Sequence, residues 1–487
     1  MIKTPVRIFF VLFLLYLLLL IPLPEEPPPQ GAGRKAFVWN QDDRWLTLER
    51  RFKEIRHLGC GGLSEKIDSG FVRTETILSS ITSQTLESDA PIFEKIESGL
   101  FDLGPMTAAC PARLAEYLQL ASRIRTAVKE QSRHWNMTSP AVRQRMYRLL
   151  YGGRASVEEV MLQAPKDLVP PLTPGDDEPS QTPSTKILGV TIHSGDILVS
   201  RGGVATSALI ARGNDYPGNF SHVALVYIDD HTGTPLIIES HIERGVTITA
   251  LEDYLKDVKL RIIVLRLRAD IPALLADRMI PHKAAQLALE WARAGHIPYD
   301  FAMDHHDTTK LFCSEVASAP YSRYGIGLWM GLSSISTPGT VSWLSAFGVK
   351  HFETQQPSDL EYDPQLTVVA EWRDPENLFK DHLDNAVIDV LLEEAGSGEM
   401  LDYPWYALPM ARVLKAYSMV LNMVGRVGPV PEGMGAVAAL RNLKFSSRHA
   451  AIKKRVVELA GAFKQKQGYT APYWELLNLA RRAQQDL

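Results

Sequence analysis

Two short segments carry the residues best suited to chemistry: Ser221-His222-Val223-Ala224-Leu225-Val226 and Phe312-Cys313-Ser314-Glu315-Val316. Thr308 or Thr309 can cap a helix that holds Cys313 in its first turn or two. The positive end of a helix dipole stabilises a thiolate there, and the thiolate is the nucleophile. A cysteine hydrolase also needs an imidazole within hydrogen-bond reach, first to hold the thiolate as an ion pair and then to protonate the leaving group. His222 opens an apolar strand. Strand alternation puts it on one face with Ala224 and Val226, so its ring projects toward a helix packed on the sheet. A third polar group normally orients the imidazole. Glu239 ends the next apolar run, Leu236-Ile237-Ile238-Glu239, where a charge is costly without a partner. It is the first choice for that role, with His241 and Ser240 as second choices. Singly, a helical cysteine reads as a buried small hydrophobe and a histidine at a strand end as a surface residue. Their ordered co-occurrence carries the functional reading.

Other constellations are weaker. Asp300, Asp304, His305, His306 and Asp307 offer oxygen and nitrogen ligands. They fall in a loop between a helix and Cys313, with no second ligand group in a regular element, and read as a solvated polar loop. No G-x-x-x-x-G-K-[ST] and no H-E-x-x-H occurs, and Gly325, Gly327 and Gly331 lack a strand-to-helix context. No cofactor and no metal is expected.

The elements that must position these residues follow from a change of period along the chain. Ile197-Leu198-Val199, His222 to Ile228, Leu236 to Glu239, Val246 to Thr249, Ile262 to Leu267 and Leu366 to Ala370 are β-branched runs bounded by turn residues, and read as strands. Pro281 to Ala294 and the segment starting just before Cys313 read as helices. Together they predict an α+β domain over about 187–375. On its N-terminal side, 38–164 is helical: Trp45, Leu48, Phe52 and Ile55 mark one face, and Leu114, Tyr117, Leu118, Ala121, Ile124 and Val128 another. The proline-rich stretch 165–186 reads as an exposed, semi-rigid linker. From 376 to 487 the pattern is helical again. There Met410, Val413, Leu414, Tyr417, Val420, Leu421 and Val424 share a face, expected to pack on its own domain, with a helix lying on a membrane surface as the alternative.

The 487 residues carry 52 Lys and Arg against 56 Asp and Glu, a formal charge of −4, so no basic excess argues for nucleic acid. Three scattered cysteines exclude a disulfide scaffold or a zinc module. Cys60 and Cys110 are left as either a disulfide or two free thiols. Ile8 to Ile21 is an unbroken apolar and aromatic run, preceded by Lys3 and Arg7 and followed by prolines. At about 1.5 Å per residue it spans about 21 Å, short of a hydrocarbon core of about 30 Å. An uncleaved signal anchor with a proline-rich stem over residues 1–30 and a cleaved signal peptide both fit. The flanking charge puts the bulk of the chain outside the cytoplasm.

Six motifs then fall in order: Gly195-Asp196-Ile197-Leu198, Ser221 to Val226, Ile238-Glu239-Ser240, Gly245-Val246, Pro298-Tyr299-Asp300 and Phe312-Cys313-Ser314-Glu315. This order resembles the YiiX-like (YebB-like) group of permuted papain-like, NlpC-related cysteine hydrolases, in which the histidine strand precedes the cysteine helix. The resemblance covers about 190–375. It implies an antiparallel sheet packed on a cysteine-bearing helix, flanked here by N- and C-terminal helical regions. It also implies Cys313 as nucleophile, His222 as base and Glu239 as third member. Tyr299 would line the site and help the oxyanion, Ser221 is a further site candidate, and Asp196 shapes the start of its strand. The expected function is a membrane-anchored, extracytoplasmic thiol hydrolase cleaving an amide in a peptide or cell-wall peptide, periplasmic if the source is bacterial. Lipid acyl hydrolysis or transfer on the same Cys-His site is one alternative. A non-catalytic, membrane-anchored binding or scaffold protein is another, with protein partners held by the helical regions.

Overall fold

The structure, a computed structural model, describes residues 4–22, 29–37 and 43–486. Most of the proline-rich stem and Lys3 lie outside the described residues.

At the centre is a seven-stranded sheet. Its strands are β1 (Leu172–Pro174), β2 (Ile197–Gly202), β3 (His222–Ile228), β4 (Pro235–His241), β5 (Gly245–Ala250), β6 (Lys259–Leu267) and β7 (Leu366–Trp372). The spatial order is β1-β7-β6-β2-β3-β4-β5, and every neighbouring pair is antiparallel. All six runs expected to be strands lie in this sheet.

Both faces of the sheet are covered, which is why β3 is apolar at every position after His222. Val223, Leu225 and Tyr227 enter one core, together with Ala284 and Leu289 of the helix Ile280–Ala294 and Val316, Ala317 and Tyr321 of the helix Glu315–Ser322. Ala224, Val226 and Ile228 enter the other, against Tyr254, Ile187 and Ile192. A continuous apolar strand is the mark of two-sided burial.

Two motif glycines have steric causes. Gly195 has φ +96°, and a Cβ there would lie 2.4 Å from the Pro281 ring. Gly245 has φ +69°, and its Cβ would lie 2.0 Å from the Ile297 carbonyl oxygen. Both the left-handed backbone and the close approach require glycine.

The helical flanks pack onto the sheet domain. The proline-rich segment does not hang free as an exposed linker: β1 pairs with β7, and Gly175 N and Asp176 N donate to Val369 O and Val368 O. Proline at a sheet margin loses no ladder bond, so such a sequence suits an edge strand. A buried ionic seam joins all three regions. Glu158, from the N-terminal helices, accepts from Arg261 of β6 at 2.5 Å, Arg373 at 2.9 Å and His382 of the helix Pro375–Gly396 at 3.0 Å. Asp381 of that same helix faces Arg261 and Arg201. Arg154 pairs with Glu361 and Glu371.

The helix Leu408–Met423 departs from expectation. It buries Leu408, Pro409, Ala411 and Ser418, while Met410, Val413, Tyr417 and Val420 stay exposed. The apolar face is therefore not packed on its own domain. The N-terminal helix Thr4–Leu20 lies against this element: Tyr16 Oη donates to Tyr406 O at 3.2 Å and Arg412 donates to Leu19 O at 2.7 Å. Among the described residues, no helix is long and apolar enough to cross a membrane.

Cys60 and Cys110 form a disulfide, with their Cα atoms 4.6 Å apart and 50 residues between them in sequence. Closing a loop of that length stabilises the fold by about 4 kcal/mol. Thiol titration in denaturant without reductant should find one thiol per chain, and three after reduction. Three thiols before reduction would disprove the bridge.

Candidate active site

Glu239 is the buried centre of the site, only 1% exposed. Its Oε2 lies 2.9 Å from His222 Nε2, and its Oε1 lies 3.0 Å from His241 Nε2. The register explains the cluster. Glu239 pairs with Ala224 and Ser240 with Val246, so His222, Glu239 and His241 project from one face, two residues apart along their strands. Burial alone would raise the Glu239 carboxyl. The hydrogen bonds from His222 and His241 outweigh it and hold the group well below the usual carboxylate range. An ionised carboxylate only accepts, so Nε2 of His222 carries the proton. Nδ1 is then left with the lone pair a general base needs. Burial also draws His222 below the ordinary imidazole value of 6.5, opposed by the bond to Glu239. His222 is thus neutral at pH 7.

Cys313 lies in the turn just ahead of the helix Glu315–Ser322, not inside it. It is 4% exposed, and its Sγ stands 3.9 Å from the carbonyl oxygen of Ser221, the residue before His222. Among the described residues, no hydrogen bond joins Sγ to an imidazole. The helix packs on the Val223 face of β3, opposite the face shared by His222, Ala224 and Val226. The expectation that His222 projects toward that helix is therefore corrected. Cys313 approaches the strand at its end, at the backbone of Ser221. Burial pushes the Cys313 thiol up to about 11, although the backbone N–H of Val223 and groups of Ser314 favour the thiolate. Desolvation is the largest cause and favours the thiol over the expected thiolate.

Tyr299 lines the same cavity as Cys313. It is brought there because Leu311 N donates to Pro298 O at 3.1 Å, tying its segment alongside the cysteine segment. Burial, with Cys313 and Asp300 adding to it, raises the phenol well above 10, so its O–H stays available as a donor. Among the described residues, its hydroxyl has no hydrogen-bond partner.

The other candidates are placed differently. Ser221 Oγ is held by Ser207 Oγ, and only its carbonyl faces the sulfur. Ser240 Oγ donates to Leu311 O at 2.7 Å, bracing the cysteine segment instead of the imidazole. Asp196 accepts two 2.8 Å bonds from Arg266 and one from His193 N, locking the start of β2 away from Cys313. Asp300, Asp304 and Asp307 accept backbone N–H groups of their own loop, at Ala302, His306 and Thr309, as expected of a polar loop. Among the described residues, the three that could share a cation are His222, Glu239 and His241, with ligand atoms within 4.8 Å of one another.

Sequence reasoning did not single out Glu315 or Gln356. The buried Glu315 carboxyl accepts from Phe312 N at 2.9 Å and is pushed up to about 8, chiefly by burial. Gln356 lines the Cys313 cavity, and its Oε1 has no partner among the described residues. Only the position of Glu315 three residues after Phe312 hinted at a role.

A neutral thiol and a neutral imidazole imply proton transfer during attack instead of a standing ion pair. Alkylation of native protein by iodoacetamide should therefore accelerate about tenfold per pH unit from pH 7 to 10. A rate that levels off below pH 8 would reveal a preformed thiolate.

No curated protein matches the chain. Residues 191–370 contain His222, Glu239, His241, Tyr299 and Cys313. They match the model of the family described as permuted papain-like amidase enzyme, YaeF/YiiX, C92 family, so the part of the chain that carries the site is similar to a permuted papain-like amidase of the YiiX group.

Proposed function

We propose that this protein is a thiol amidase with Cys313 as nucleophile, His222 as general base and Glu239 as the group that orients it. The observation that carries this reading is the Glu239 bridge. It fixes the proton on Nε2 of His222 and frees Nδ1, while Cys313 Sγ stands 3.9 Å from the carbonyl oxygen of the preceding residue, Ser221. A thiol–imidazole hydrogen bond of the proposed pair would form once substrate binds, since catalytic hydrogen bonds are often long or poorly aligned without it.

The steps balance as follows. Sγ bonds to the amide carbon while His222 takes the thiol proton. The tetrahedral oxyanion accepts from Tyr299 Oη and from the backbone N–H of Cys313. The C–N bond breaks, and the amine leaves with the proton from His222. Water then adds to the thioester, giving its proton to His222. The C–S bond breaks, and the thiol recovers that proton. The proposed location is extracytoplasmic, which the Cys60–Cys110 disulfide supports.

A panel of acyl- and peptidyl-aminocoumarins tests the reading. Amine release should vanish in Cys313→Ala. Tyr299→Phe should lower kcat about 10²-fold with little change in KM. No release above the Cys313→Ala background would refute the amidase.

The pH profile tests the base. His222 acts only when neutral, so kcat/KM should fall as pH drops through a value below 6.5. Glu239→Gln should lower kcat about 10²–10⁴-fold. It should also move that acid limb to lower pH, because Glu239 is what raises His222. An unmoved limb would remove Glu239 from the mechanism.

A further inference from the structure

We infer that the acyl half of the scissile amide is an aliphatic chain drawn from a lipid bilayer; this rests on the amidase reading above and names its substrate class. The cavity that exposes Cys313 is walled by Leu209, Phe301, Met303, Leu344, Val349 and Met434. The polar side chains on that wall are few: Tyr299 is assigned to the oxyanion, Thr206 donates to Asn442 at 3.1 Å, and Gln356 has a buried Oε1 without a partner among the described residues. Among the described residues no charged side chain lines it, so no ion pair would hold a peptide's carboxylate or ammonium group. Burying each methylene of a chain in such a slot contributes about 0.8 kcal/mol, roughly fourfold in affinity. The cavity offers about 80 Å³ to the centres of water molecules. That is room for several waters, and so for the first part of an acyl chain.

The same wall leads to an exposed apolar surface. Met434 follows Gly433, whose backbone lies so close to Phe301 that a Cβ would stand 2.4 Å from its ring. Just upstream, Val430 N donates to Ser418 Oγ at 3.0 Å, and Pro431 O accepts from Lys415 at 2.9 Å. Ser418 and Lys415 belong to the helix Leu408–Met423, whose other side is bare: Val413, Val420 and Met423 are exposed, Met423 by 86%. Trp405 and Tyr406, 66% and 64% exposed, stand just before it. The N-terminal helix, apolar at every position from Ile8 onward, lies against it. Two adjoining apolar helices with aromatics at their margin fit the boundary between headgroups and acyl chains. The occupant of this face is the bilayer, and the slot opens beside it. Met434 and Asn442 lie outside residues 191–370, so the C-terminal region completes the cavity.

The test uses full-length protein and N-acyl-aminocoumarins with two, four, six, eight and twelve carbons. Between two and eight carbons, kcat/KM should rise about fifteenfold for every two methylenes and then level off. Phe347→Lys, at a half-buried wall position, and Met434→Arg should flatten the series, lowering the eight-carbon rate far more than the two-carbon rate. A flat series with Cys313-dependent turnover overturns the slot and leaves the amidase standing. N-acetyl-leucyl-aminocoumarin outperforming the eight-carbon substrate overturns it in favour of a peptide.

If no amide turns over, the amidase reading fails. The slot is then judged by octanoate displacing a fluorescent fatty acid from Cys313→Ala protein; no displacement overturns it. For the bilayer face, Met410→Asp with Met423→Asp should lose turnover of the twelve-carbon substrate in phosphatidylethanolamine and phosphatidylglycerol vesicles. The same variant should keep turnover of the soluble two-carbon substrate. Unchanged vesicle turnover, or a concentration-dependent dimer broken by the double variant, overturns the bilayer assignment.

Discussion

A carboxylate removed from water must find donors or cations, or give up its charge. Two buried carboxylates meet that demand here, and together they organise the chain. Glu158 collects Arg261, Arg373 and His382 and so ties the N-terminal helices, the sheet and the C-terminal helices into one polar seam. Glu239 collects two imidazoles and so fixes the tautomer on which the chemistry depends. The same desolvation raises Cys313, where the hydrogen bonds present do not outweigh it as they do at Glu239, and so favours the thiol.

The sheet makes both clusters possible. Its two covered faces exclude water from β3, β4 and β6, so groups set among them interact strongly. Packing on both sides also explains why the sheet domain carries large helical flanks. The N-terminal helices and the helix Pro375–Gly396 bring their own charged residues to close the seam. The flanks are therefore part of the body that holds the site. One of them also supplies Met434 and Asn442 to the cavity wall.

The resting state implied by these electrostatics is uncharged at both reacting groups. In the proposed amidase, such a site reacts only once a substrate fills the cavity and brings the carbonyl to the sulfur. An apolar slot beside an exposed apolar surface fits this arrangement. Filling the slot excludes water from the thiol, and an uncharged pair is less perturbed by that exclusion than an ion pair would be.

The strands, the order of histidine before cysteine, and the choice of Glu239 were all legible in the sequence. Each rests on local signals: β-branched runs, a charge ending an apolar strand, and motif spacing. The glycines at 195 and 245 were legible as motif positions, though not for their reason, which is close approach to Pro281 and Ile297. What depended on burial was not legible. A helix-end cysteine reads as a thiolate until the depth of its cavity is known. The face of Met410 and Val413 reads as a packing face until the tertiary fold leaves it bare. Whether Cys60 met Cys110, and whether the proline-rich stretch would hang free or join a sheet edge, also waited on the fold. Local pattern sets which residues share a face. Only the three-dimensional arrangement decides what covers that face, and desolvation then sets the charge of every group beneath it.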